Sequence, residues 1–132
     1  MLLLDTHTLL WLARSDSPLG QRAERSIEAA RTRRELAVAA ITFWEIAMLA
    51  SKGRVSDSAS QLRTQTLEFG IQELVLDGAI AIASVALKQF HPDPADRILV
   101  ATALQLGAQL VTADHKILKW RGGGLRTLDA SR

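Results

Sequence analysis

The sequence predicts an α/β fold, a three-layer α/β/α arrangement with a mainly parallel central sheet of four to five strands. Two observations carry this. Short apolar runs without polar alternation, of the kind a strand buried on both faces requires, recur along the chain. Between them lie helical segments with start and stop signals, and such alternation of strand and helix favours parallel strands joined by right-handed crossovers.

Taken in order, Met1 to Leu4 forms the first strand and feeds through Asp5 into a helix from Thr6 to Ala13. Ser17-Pro18 supplies a cap and a proline at the first helical position for a second helix, which runs to about Thr32 and ends in the basic "RTRR" that suits a helix C-terminus. Leu36 to Ile41 is the second strand. Thr42 and Glu45 match the spacing of a capping box for the helix that stops near Gly53. Ser58 to Phe69 is a helix closed by Gly70, Gln72 to Leu76 a third strand, and Asp77-Gly78 opens an alanine-rich helix reaching Phe90. In "DPADRILVATALQLGAQLVTADH", Asp93 and Pro94 open a helix, Gly107 closes it, Gln109 to Thr112 is the fourth strand and Asp114 follows. A short helix from His115 to Trp120 and a fifth strand in "LRTLD" complete the chain as a single domain over residues 1–132.

Composition limits the chemistry. The 132 residues are 48% apolar and 23% charged, ordinary for a globular domain, and the formal charge of +2 gives little reason by itself to expect a polyanionic partner. The chain has no cysteine, so disulfides, thiolate metal sites and cysteine nucleophiles are excluded and any site must use oxygen or nitrogen. The apolar start carries Asp5 and lacks a basic leader, and "ILVATALQLGAQLV" falls short of a bilayer span, so a cytoplasmic location and no membrane partner are expected.

The acids are the informative residues. Each has a plain structural explanation, because carboxylates at helix starts stabilise by about 1 kcal/mol as caps and typically 0.3–1 kcal/mol through the helix dipole. As a set they ask for more. In a parallel sheet every strand-to-helix turn lies along one edge, where open α/β folds bind ligands. Asp5 follows strand one, Glu45 strand two and Asp114 strand four, while Asp96 starts the helix leading into strand four. If strands one, two and four are neighbours, these four side chains converge; Asp77, after strand three, stays out only if that strand lies at the edge. Crowded carboxylates repel, by about 4 kcal/mol per pair at about 4 Å and an effective dielectric near 20. A hard divalent ion, Mg²⁺ or Mn²⁺, would offset this with oxygen ligands and could activate water for phosphodiester hydrolysis.

The segments "LLLDTHTLLWLA", "ITFWEIAML", "DPADRILVATAL" and "LVTADHKI", in that order, resemble the four blocks of a PIN domain, most closely those of the VapC-type toxins of bacterial toxin–antitoxin pairs. The resemblance spans nearly the whole chain. It implies that the family's acidic residues are Asp5, Glu45, Asp96 and Asp114, serving as metal ligands and catalytic groups, with Thr112 as the hydroxyl that supports the last acid. It further implies a Mg²⁺- or Mn²⁺-dependent endoribonuclease acting on RNA, a cognate VapB-like antitoxin as partner, a homodimer, and a third strand at the sheet edge. Asp93 reads as a cap. Ala95 stands where VapC-like chains often carry a bulkier residue.

Other features have duller readings. His7, His91 and His115 show no metal-binding spacing and are expected at the surface or in hydrogen bonds, with His115 the candidate for a substrate phosphate. Arginines between Arg14 and Arg34 are interspersed with Glu24 and Glu28, which fits a solvated helix face; Arg14, Arg97 and Lys116 are better placed for nucleic acid. Trp11, Trp44 and Trp120 are expected in the core. The apolar helix from Asp77 to Phe90 implies burial on more than one side, within the monomer, a dimer or an antitoxin groove. The competing function class is a catalytically silent PIN-like or receiver-like interaction module whose acids cap helices or bind a structural ion. A receiver-like domain would require a lysine beyond the last strand, and "GLRTLDASR" has none.

Overall fold

A computed structural model describes residues 1–132. Five strands, β1 (Leu2–Leu4), β2 (Leu36–Ala39), β3 (Gln72–Leu74), β4 (Gln109–Thr112) and β5 (Arg126–Asp129), form one sheet in the order β3-β2-β1-β4-β5, with every pairing parallel. Seven helices cover it: α1 (Thr6–Leu12), α2 (Gln21–Thr32), α3 (Ala40–Ser51), α4 (Ala59–Glu68), α5 (Gly78–Val85), α6 (Pro94–Leu106) and α7 (His115–Lys119). The three-layer parallel architecture is the one the sequence predicts.

The central strands β1, β2 and β4 are largely apolar because both sheet faces are covered there, whereas the edge strands β3 and β5 carry Gln72, Glu73, Arg126 and Asp129 and are only partly buried. Leu2, Leu4, Leu36, Val38 and Val111 pack on one side with Leu9, Leu10, Ile27, Phe43 and Ile46 from α1, α2 and α3. Leu3, Ala37, Ala39 and Leu110 point the other way, onto Leu99, Val100 and Ala103 of α6 and Ile117 of α7. Full burial of a leucine such as Leu3 or Leu4 stabilises by roughly 1.5–3 kcal/mol. Central β1 pairs Leu4 with Val38 on one flank and with Val111 on the other, so the direction in which strands are added switches at β1 while all strands run the same way, and the C-terminal ends of β1, β2 and β4 lie side by side. No helix is long and apolar enough to cross a membrane.

Four local expectations are corrected. Helix α2 begins at Gln21 rather than at Ser17-Pro18, because its first amides are claimed by the chain beyond β5: Gly20 N–H donates to the Ala130 carbonyl at 2.9 Å and Arg22 N–H to the Arg132 carbonyl at 2.7 Å. A Cβ at Gly20 would lie 2.1 Å from the Arg132 backbone, so only glycine fits this approach. Helix α3 starts at Ala40 directly from β2, with no side-chain cap. The Thr42/Glu45 capping box is therefore absent, and the Thr42 hydroxyl instead accepts from Thr6 Oγ1 at 3.3 Å.

Helix α5 ends at Val85, short of Phe90, because Arg97 organises the following chain as a loop. Its guanidinium donates to the carbonyls of Ser84, Leu87, Phe90 and His91 at 2.7–3.3 Å. Arg97 is thus a clamp on backbone rather than a nucleic-acid contact. Finally, Trp44 is exposed, whereas Trp11 and Trp120 pack against the two core layers as expected.

Candidate metal centre

The strand order brings the predicted acids together. Asp5, Glu45, Asp96 and Asp114 line one cleft of about 390 Å³, together with Asp93, Thr6, His7 and Trp11, at the C-terminal edge of the sheet. Asp77 is absent from it: β3 is the edge strand, and Asp77 caps α5 by accepting from Ile80 N–H at 2.9 Å.

Each acid is placed by its own local structure. Asp5, 7% exposed, caps α1 by accepting from Thr8 N–H at 2.7 Å, and its second oxygen accepts from the Thr112 hydroxyl at 2.5 Å. The Thr112 oxygen also accepts from Asp114 N–H at 3.0 Å, so one buried hydroxyl ties the turn after β1 to the turn after β4. Asp114 caps α7 through Lys116 N–H at 2.8 Å. Asp93 caps α6 by accepting from Asp96 N–H at 3.1 Å, and the proline at N1 and left-handed Gly107 bound that helix as the sequence predicts. Glu45 and Asp96 carry no capping bond of their own.

Electrostatics report the convergence. Burial, first, and then the charges of Asp93, Asp114, Glu45 and Asp5 push the Asp96 carboxyl up to about 7, from 3.8 for an ordinary aspartate. The geometry also supplies a residue that sequence reasoning missed. His91 Nε2 is buried without a hydrogen bond and lies 3.2 Å from Asp96 Oδ2, off the line a hydrogen bond needs. Ligand atoms of His91, Asp96 and Asp114 fall within 4.8 Å of one another. Asp5 and Glu45 share the cleft without joining that tight set. The sole sequence signal for His91 is its place five residues before Asp96; its orientation comes from the loop that Arg97 holds.

Two oxygen donors and one unpartnered imidazole, in a crowd of uncompensated carboxylates, are a donor set that a divalent cation fits. The other histidines differ: His7 is exposed on the cleft rim, while His115 is exposed and does not line the cleft. Arg14 pairs with Asp57 at 3.0 Å. Arg31 and Arg33 pair with Glu28 and Glu35, the solvated face expected of them.

Known proteins share the sequence pattern and the fold. The PIN domain family model matches residues 2–122. Over 121 residues the chain is 36% identical to Ribonuclease VapC22 of Mycobacterium tuberculosis, covering 90% of this chain and 91% of that protein. Among solved structures it is similar to a chain of a toxin–antitoxin complex from Klebsiella pneumoniae, at 25% identity, 98% coverage of each chain and a TM-score of 0.66. The fold is shared with a chain of VapBC2 from Rickettsia felis, solved bound to a DNA fragment from its promoter, at 16% identity, 96% coverage of each chain and a TM-score of 0.71. Matched along most of its length by the family model and by a relative of that type, the chain belongs to the PIN-domain family, in its VapC group.

Proposed function

We propose that the protein is a Mg²⁺- or Mn²⁺-dependent endoribonuclease that hydrolyses RNA phosphodiester bonds, acting as the toxin of a VapBC-type pair. The supporting observation is the convergence of Asp5, Glu45, Asp96 and Asp114 on one cleft, with the Asp96 carboxyl pushed up to about 7 by burial and then by the neighbouring acids. Asp96 and Asp114 would hold the ion, with Asp5 and Glu45 as the remaining acidic ligands and His91 Nε2 as a nitrogen donor. When bound, a hard dication supplies Lewis acidity toward a phosphoryl oxygen and a water acidic enough to attack it. The protein's own part is positioning: Thr112 fixes Asp5 and the Asp114 backbone, the Thr6–Thr42 bond ties the helix bearing Glu45 to the turn after β1, and Asp93 sets the first turn that presents Asp96.

The partners follow from the same reading. A cognate antitoxin and a second copy of the chain are proposed to cover apolar surface such as Ile82 and Val85 of α5, which are 75% and 81% exposed.

The capping bonds of Asp5, Asp93 and Asp114 keep the alternative of a silent module in view, and asparagine separates the two because it caps about as well as aspartate. Wild type should cut RNA with Mg²⁺ or Mn²⁺ and not in EDTA, while folded Asp5→Asn and Asp96→Asn lose cleavage by at least about a hundredfold, in the range seen when a charge-stabilising catalytic group is removed. Retained cleavage in both variants would overturn the reading.

A further inference from the structure

Beside the acid cleft lies a groove of about 800 Å³, roughly twice the cleft's volume. It runs between the loop after α5 and the α7–β5 connection. Lys88, Lys116, Lys119 and Arg121 line it, and no aspartate or glutamate does. All four are exposed, and none is paired with a carboxylate. In a chain whose formal charge is only +2, this concentrates positive charge in one channel while the acids gather in the next.

The floor is rigid. Trp120 stacks edge-on against Phe90 with ring centroids 5.3 Å apart, and its indole N–H donates to the Lys88 carbonyl at 3.0 Å. A Cβ at Gly122 would lie 2.1 Å from the Trp120 ring, so the glycine backbone is pressed onto it and the wall stays low. His91 is the partition between the two cavities: it lines the groove, and its Nε2 lies 3.2 Å from Asp96 on the cleft side.

We propose that this groove is the track for the substrate, holding the phosphates of a single-stranded RNA segment next to the bond positioned in the acid cleft. The proposal rests on the nuclease reading above and adds the path of the strand and the residues that hold it. Lysines suit the role because they neutralise phosphates as mobile point charges without reading bases. Lys116 and Lys119, three residues apart on α7, share one helix face. An acidic protein segment would also be attracted, but the track opens beside the cleft proposed to cut phosphodiesters, which favours the polyanion that the cleft acts upon.

Binding of a fluorescent single-stranded RNA in EDTA across a KCl series tests this, alongside cleavage kinetics in Mn²⁺. Wild type is compared with Lys88→Ala/Lys119→Ala, with Lys116→Ala/Arg121→Ala, and with Arg22→Ala/Arg25→Ala on α2 as a control of equal charge. Each groove variant should bind at least about tenfold more weakly, with a salt slope shallower by about 1.4 for two lost phosphate contacts on a single strand. KM should rise in Lys88→Ala/Lys119→Ala with kcat unchanged, and the control should match wild type. If wild type cuts RNA while both groove variants keep its affinity and slope, the track is wrong and the nuclease reading stands. No cleavage by wild type in either metal removes the nuclease reading and the track with it. Tighter groove binding of polyglutamate than of RNA also overturns the track, assigning the groove to an acidic protein segment.

Discussion

Asp96 has a measurable consequence for stability. Its carboxyl titrates at about 7 in the folded chain and near 3.8 when unfolded, so between these values the native state holds a proton that the unfolded chain has released. Its contribution is therefore most favourable below about pH 4 and is lost as pH rises to 7. In metal-free buffer, Asp96→Asn should abolish this fall, so the variant exceeds wild type in urea midpoint at pH 8 and differs little from it at pH 4. Equal midpoints at pH 8 would mean that burial and the neighbouring acids do not penalise the Asp96 carboxylate as the geometry implies. At this scale the sequence was informative about which acids matter, because residue type and position after a strand reveal them. It was silent on His91, whose ring is aimed by the fold of a loop and not by its neighbours in the chain.

Among the elements, the loop between α5 and α6 depends most on one side chain. Arg97 gathers the carbonyls of Ser84, Leu87, Phe90 and His91, most of which no helix ending at Phe90 could satisfy internally, and its guanidinium lies 5.8 Å from the Phe90 ring centroid. Lysine cannot reproduce that fork, so Arg97→Lys should destabilise by about 2–3 kcal/mol in chemical denaturation. A loss below about 0.5 kcal/mol would show that water replaces the clamp. The same residue explains where element boundaries escape sequence reading. The stretch Gly78–Phe90 is apolar around much of its circumference, yet the helix ends at Val85, where Arg97 takes up the loop carbonyls and Gln89 adopts a left-handed backbone. Likewise, the Thr42/Glu45 spacing imitates a capping box, but β2 passes into α3 without a turn and the real start lies at Ala40. The central strands β1 and β2 were legible because burial on both faces forces uninterrupted apolar runs; strand order was not, since pairing depends on contacts far apart in sequence.

For the molecule as a whole, a dication in the cleft would relieve repulsion contributed by several elements at once. At a hundred times its Kd, Mn²⁺ should stabilise wild type by about 2.7 kcal/mol, a rise of several degrees in Tm, with a much smaller rise in Asp5→Asn. Equal shifts in the two proteins would place the ion elsewhere. The bond from Thr112 to Asp5 spans 107 positions of sequence and joins the turns after two adjacent central strands. During synthesis, β1 must therefore wait until the 107 positions that separate Asp5 from Thr112 have been made before its neighbour on that flank exists. A nascent chain cannot assemble the acid cleft until β4 has emerged, because until then Asp5 lacks its hydroxyl partner and Asp114 does not yet exist.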